Sequence, residues 1–142
     1  MRIIGLVLFL LLPMSSTFAQ EKDKWQRITT LDGSVIEMNV STVVFSTGGI
    51  GRVKFRFSFS KPEPVREMPG VKYQSFIETI EFKCGESQYR LFDVTLFNSK
   101  GDPIRTDEKD PSAKWQVKKP SGLMDRLYTS ACQFIAEKRR NP

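Results

Sequence analysis

Val53, Phe55, Phe57 and Phe59 alternate without a break with Lys54, Arg56 and Ser58. A period of two is the spacing of a β-strand, whose successive side chains point to opposite faces. Here one side of the strand is aromatic and aliphatic, and the other carries positive charge. That pattern belongs to an antiparallel sheet covered on one face and wet on the other. The remaining residues must therefore supply neighbouring strands and an element to cover the apolar face. With 142 residues in all, the chain has room for one such domain.

The neighbours are readable on both sides. Trp25–Thr30 and Val35–Val40 are β-prone runs separated by Asp32-Gly33, a strong hairpin-turn pair. Thr42–Phe45 is a further β-branched run, broken by Gly48-Gly49-Ile50-Gly51. The glycine spacing matches neither phosphate-binding pattern, so a turn is expected there. Lys61-Pro62-Glu63-Pro64 is expected to end the alternating strand, and the chain to Pro69-Gly70 reads as loop. Val71–Cys84 forms the next long strand, with Phe76, Ile80, Phe82 and Cys84 on one side. After Gly85-Glu86-Ser87, a strand over Gln88–Asn98 places Phe92, Val94 and Leu96 together. Arg105–Lys114 reads as a charged loop before the short Trp115-Gln116-Val117 segment.

Periodicity changes once. From Leu123 onward, Leu127, Tyr128, Ala131, Cys132, Phe134 and Ile135 share one arc at helical spacing, opposite Arg126, Thr129, Gln133 and Glu137. Ser121 is the expected N-cap, and Lys138, Arg139 and Arg140 complement the negative end of the helix dipole. The fold class expected is α+β: a single antiparallel sheet of five or six strands with a C-terminal α-helix packed on one face.

Compartment follows from the other end. Met1-Arg2, the apolar run Ile3–Leu12, Pro13, and small residues at Thr17 and Ala19 make the three-part plan of a secretory signal peptide. The run is about half the roughly 20 residues a membrane span needs. Cleavage after Ala19 would leave a single domain over 20–142, periplasmic or secreted. No cysteine near the cut offers a lipid attachment point, so no stable membrane anchor is expected. In an oxidising compartment Cys84 and Cys132 default to a disulfide, worth roughly 4 kcal/mol across so long a loop. A redox-active pair would normally show a Cys-x-x-Cys spacing, which is absent.

The order Tyr73-x-Ser75, Ile80-Glu81-Phe82-Lys83-Cys84, Tyr89-Arg90, Gly101, Trp115-x-Val117, Pro120-Ser121, Leu127 and Cys132 resembles the surface-adhesin protein E family of bacterial envelope proteins. The resemblance covers about Tyr73–Cys132; the Trp…Pro-Ser…Cys ending is its most specific part. It implies an antiparallel sheet with a C-terminal helix held on it by a disulfide, matching Cys84 and Cys132 here. It also implies adhesion to host surfaces and matrix proteins, without catalysis.

Chemistry is narrowed by what the sequence lacks. Without a single histidine, Ser-His-Asp and Cys-His catalysis and His-ligated metals are closed. No catalytic residue, metal ligand set or cofactor is expected. Glu78 and Glu81 fall on opposite faces of their strand and cannot act as a couple. Asp107, Glu108 and Asp110 lack the EF-hand ligand spacing. The formal charge of +6 favours a protein or an anionic envelope or matrix polymer as partner, and falls short of a nucleic-acid footprint. Arg52, Lys54 and Arg56 form the candidate anion- or partner-binding patch. The competing reading gives those charges the task of keeping the strand from aggregating. Trp25, Trp115 and Tyr73 are expected in the core or covering the sheet, the competing reading being an exposed aromatic binding face. Arg90 is expected to hold backbone carbonyls or a carboxylate such as Glu81, the competing reading being a ligand contact. Asn39-Val40-Ser41 matches the glycosylation acceptor pattern, which has no expected use in a bacterial envelope protein.

Three functions remain open at this level. They are an adhesin-like binder of host or matrix macromolecules, a soluble periplasmic accessory protein, and, more remotely, a small hydrolase with an unrecognised carboxylate site. An exposed edge strand would also support a homodimer by sheet extension, though nothing in the sequence specifies the oligomeric state.

Overall fold

The computed structural model describes residues 23–108 and 112–141; the expected leader over 1–19, its expected cleavage site and Asp110 lie outside the described residues. The strands are β1 (Trp25–Leu31), β2 (Ser34–Asn39), β3 (Val44–Phe45), β4 (Gly51–Pro64), β5 (Lys72–Lys83), β6 (Gln88–Phe97), β7 (Pro103–Glu108) and β8 (Gln116–Val117), followed by helix α1 (Leu123–Arg140). They form one sheet of antiparallel pairs in the order β1-β2-β4-β5-β6-β7, with the two-residue strands β3 on β4 and β8 on β6. The architecture is thus the α+β sheet and helix expected from the sequence, with its main path six strands wide.

The turn between β1 and β2 carries Asp32 and Gly33 at φ 49° and 77°, the two left-handed residues a tight hairpin requires. β4 and β5 form the longest ladder, pairing Val53 with Ile80, Phe55 with Glu78 and Phe57 with Phe76. Their inward side chains meet Leu127, Tyr128, Ala131, Phe134 and Ile135 of α1 in one apolar cluster. Phe82 sits at its centre, edge-on to Phe55 at 6.2 Å and to Tyr128 at 5.7 Å. Cys84, just past β5, is bonded to Cys132 of α1 over a sequence separation of 48. Gly51 lies directly beneath Ile135, where any Cβ would collide with that side chain. Farther along the same face, Phe57 stacks on Phe76 at 4.4 Å, with Phe59 and Tyr73 around them and buried Val65 nearby.

Four local expectations need correction. β4 does not end at Lys61 but continues to Pro64. Beyond Ser58 it no longer pairs with β2, so Pro62 and Pro64 occupy an edge, where a missing N–H interrupts nothing. Residues from Arg105 to Glu108 are strand rather than loop, because β6 offers an open edge for Thr106 against Thr95 and Glu108 against Asp93. Ser121 does not cap the helix. The N-cap is Gly122, at φ 94°, with no side-chain cap; Lys118 instead binds Asp125 in the first turn. Finally, Phe92 does not share a face with Val94 and Leu96. The β5–β6 register slips between Thr79–Asp93 and Ile80–Leu91, which sends Phe92 to the opposite face and Leu91 to the core.

Candidate binding face

The face of the sheet away from α1 carries Arg52, Lys54 and Arg56 of β4, as strand alternation requires. The three do not stand free in water together. Arg52 donates through Nη2 to Glu81 Oε1 at 2.6 Å, and its guanidinium lies 3.5 Å from the centre of the Phe92 ring. Arg56 donates from Nε to Glu37 Oε2 at 2.9 Å and lies 4.4 Å from the Trp25 ring centre. Lys54, between them, is exposed and forms no ion pair with any described residue.

Glu81 anchors this arrangement. It is only 2% exposed and also receives Arg90, whose Nε lies 2.5 Å from Oε2. Burial on its own would raise the Glu81 pKa. Hydrogen bonds and positive charge from Arg52 and Arg90 outweigh it and hold the carboxyl below its usual 4.5. Trp115 closes this end, with Arg90 and Lys83 each 4.6 Å from its ring centre. The resulting pattern is ring, cation, carboxylate, repeated across the sheet. Each arginine is fixed by a charged hydrogen bond and a flat aromatic contact, both of which suit the planar guanidinium.

Arg90 therefore takes the carboxylate expected of it, and Trp25 and Trp115 cover the sheet as expected. Tyr73 belongs to the aromatic cluster of the other face. Glu37 and Phe92 were missed. Glu37 gives no signal by itself, since only the β2–β4 register sets it opposite Arg56. Glu78 and Glu81 do lie on opposite faces, beside Phe55 and Arg52 respectively. Asp107 is occupied by Arg105, whose Nη2 approaches Oδ2 at 2.6 Å. Among the described residues no group of acidic or cysteine side chains is placed to hold a metal ion.

The other face offers a groove of about 460 Å³ between the β1–β2 hairpin and the C-terminal half of α1, floored by Ile28, Met38, Val40 and Phe134. Its rim is polar, with Gln133 and Glu137 bonded to each other at 3.3 Å.

An antiparallel meander, a helix stapled across one face by a disulfide, and a charged aromatic surface on the other define a small α+β domain. The chain belongs to the surface-adhesin protein E family, whose model matches residues 22–133. That places it with adhesin-like proteins of the bacterial envelope. The solved structure of Haemophilus influenzae protein E is similar, with a TM-score of 0.55 over 81% of this chain and 95% of that one. At 8% identity the likeness is one of fold. The sequence has no match among curated proteins at a significant level. No helix among the described residues is long and apolar enough to cross a membrane.

Proposed function

We propose that this is an exported, non-enzymatic binding domain that attaches to host or matrix macromolecules through the open face of its sheet. Residues 20–142 form the working domain once the leader has been cut after Ala19. The observation that carries this reading is the position of Lys54, an exposed cation between two arginines already fixed by carboxylates and rings. Ordering long side chains normally opposes binding; here Arg52 and Arg56 are ordered beforehand, which reduces that opposition. Arginine and tryptophan are also enriched among the few residues that carry most of the binding energy at protein interfaces. An acidic segment of a matrix protein or polysaccharide suits this face, with Lys54 as its direct contact.

The test is binding of the purified protein to immobilised heparin and to matrix proteins, at low and high salt. Lys54→Ser should weaken binding several-fold at low salt and less at high salt, because exposed charges are screened within about 10 Å at 0.1 M. The pair Lys54→Ser with Arg56→Ser should weaken it further. Unchanged binding in both would remove the open face from consideration. Protease applied to intact cells separates the location: digestion supports display outside. Protection would favour the periplasmic accessory protein, using the same face for an anionic envelope component.

A further inference from the structure

A second surface, at the end of the sheet, carries chemistry that the open face does not explain. Among the described residues β3 pairs only with β4, setting Val44 opposite Arg52 and Phe45 opposite Gly51. Cross-strand partners share a face, so Val44 points to the open side of the sheet and Phe45 to the helix side. Both are large, apolar and exposed, at 55% and 44%. The chain then turns through Thr47–Gly49, closed by the Ser46 amide donating to the Ile50 carbonyl at 3.0 Å. Thr42–Arg52 contains no acidic residue. Arg139, in the basic last turn of α1, reaches this tip, and exposed Arg140 follows it at the helix end. Arg139 binds the Gly49 carbonyl and lies 5.3 Å from the centre of the Phe45 ring, so tip and helix end form one unit.

We propose that this tip docks reversibly on the surface of an anionic phospholipid bilayer, with Val44 and Phe45 entering the headgroup layer and Arg139 and Arg140 meeting lipid phosphates. The placement of the apolar pair favours a bilayer over a protein partner. A standard protein interface covers a patch of about 800 Å² on each partner. Two exposed apolar side chains fall far short of filling such a patch. Both enter a headgroup layer when the tip points into it, and adjacent cations are then placed where anionic lipid attracts them. The contact rests on Val44, Phe45 and the helix end and makes no use of Lys54, so the proposal is tested apart from the function proposed above.

Vesicle flotation tests it, using protein recovered from producing cells in whatever processed form the cell leaves. One set of vesicles is equal parts phosphatidylglycerol and phosphatidylcholine; the other is phosphatidylcholine alone. Expected is flotation with the anionic set only, declining as salt rises. Arg140→Ser should weaken it about fivefold, the usual effect of one basic residue at an anionic surface. Val44→Ser combined with Phe45→Ser should weaken it about tenfold. All three positions are exposed, and an unchanged thermal transition for each variant establishes that the fold is intact. The variants differ only at the tip, so any contribution of residues 1–22 cancels in the comparison. Absence of flotation, equal flotation with both vesicle sets, or indifference to either variant would overturn the proposal. Retention on soluble polyglutamate without flotation would also overturn it, in favour of an acidic protein.

Discussion

Glu81 shows how a single side chain can organise a surface. Buried to 2%, it is the carboxylate on which Arg52 and Arg90 converge. Its pKa lies below the usual 4.5, so the folded state favours the charged form more than the unfolded state does. The resulting stability is present in full above the unfolded value. It is lost as pH falls below about 4.5 and through the lower folded value. Urea unfolding followed from pH 7 downward should therefore show an acid decline. In Glu81→Gln that decline should be smaller. The same substitution should destabilise the protein by about 2–3 kcal/mol at pH 7, because two half-buried guanidiniums lose their counter-charge. If Glu81→Gln matched the parent at pH 7, the carboxylate would not be organising the face. Sequence alone supports Arg90 with Glu81, since both flank one turn. It does not supply Arg52 as the third member, because that contact depends on alignment of β4 with β5.

The elements differ in how plainly their residues announce them. β4, β5 and α1 carry long, regular periodicities and stand close to where those periods place them. β7 is rich in charge and begins with proline, and it becomes a strand because the edge of β6 supplies hydrogen-bond partners. The bulge in β6 is likewise invisible locally, yet it decides that Phe92 meets Arg52. The helix depends on a close approach at Gly51, whose φ is ordinary, so the constraint is steric. Gly51→Ala should destabilise by about 1–3 kcal/mol through overpacking against Ile135. Adding Ile135→Val removes the nearest methyl group and should restore part of that loss. A double-mutant cycle in urea would measure the coupling, and strict additivity would mean that the two residues do not touch.

For the whole molecule, stability is divided between the sheet and a helix that crosses it. The Cys84–Cys132 bond closes 48 positions and so removes much of the freedom of the unfolded chain. Reduction, or Cys84→Ser with Cys132→Ser, should lower the unfolding free energy by about 4 kcal/mol. That is a large part of the roughly 5–15 kcal/mol typical of a domain. Matched urea curves with and without reductant measure it, and coincident curves would show that packing alone holds the helix. The Tyr128 hydroxyl reinforces the same junction, donating to the carbonyls of Lys83 and Cys84 at 3.1 and 2.8 Å. Periodicity and composition by themselves determined the antiparallel sheet, the amphipathic helix, the cysteine pair and the absence of imidazole chemistry. Each of these is written in the spacing or identity of residues along the chain. Tertiary structure alone decided that Arg52 and Arg56 are paired while Lys54 is exposed, and that Phe45 meets Arg139 at the basic end of α1. Those outcomes depend on strand register and on where the helix lands, which bring together residues far apart in sequence.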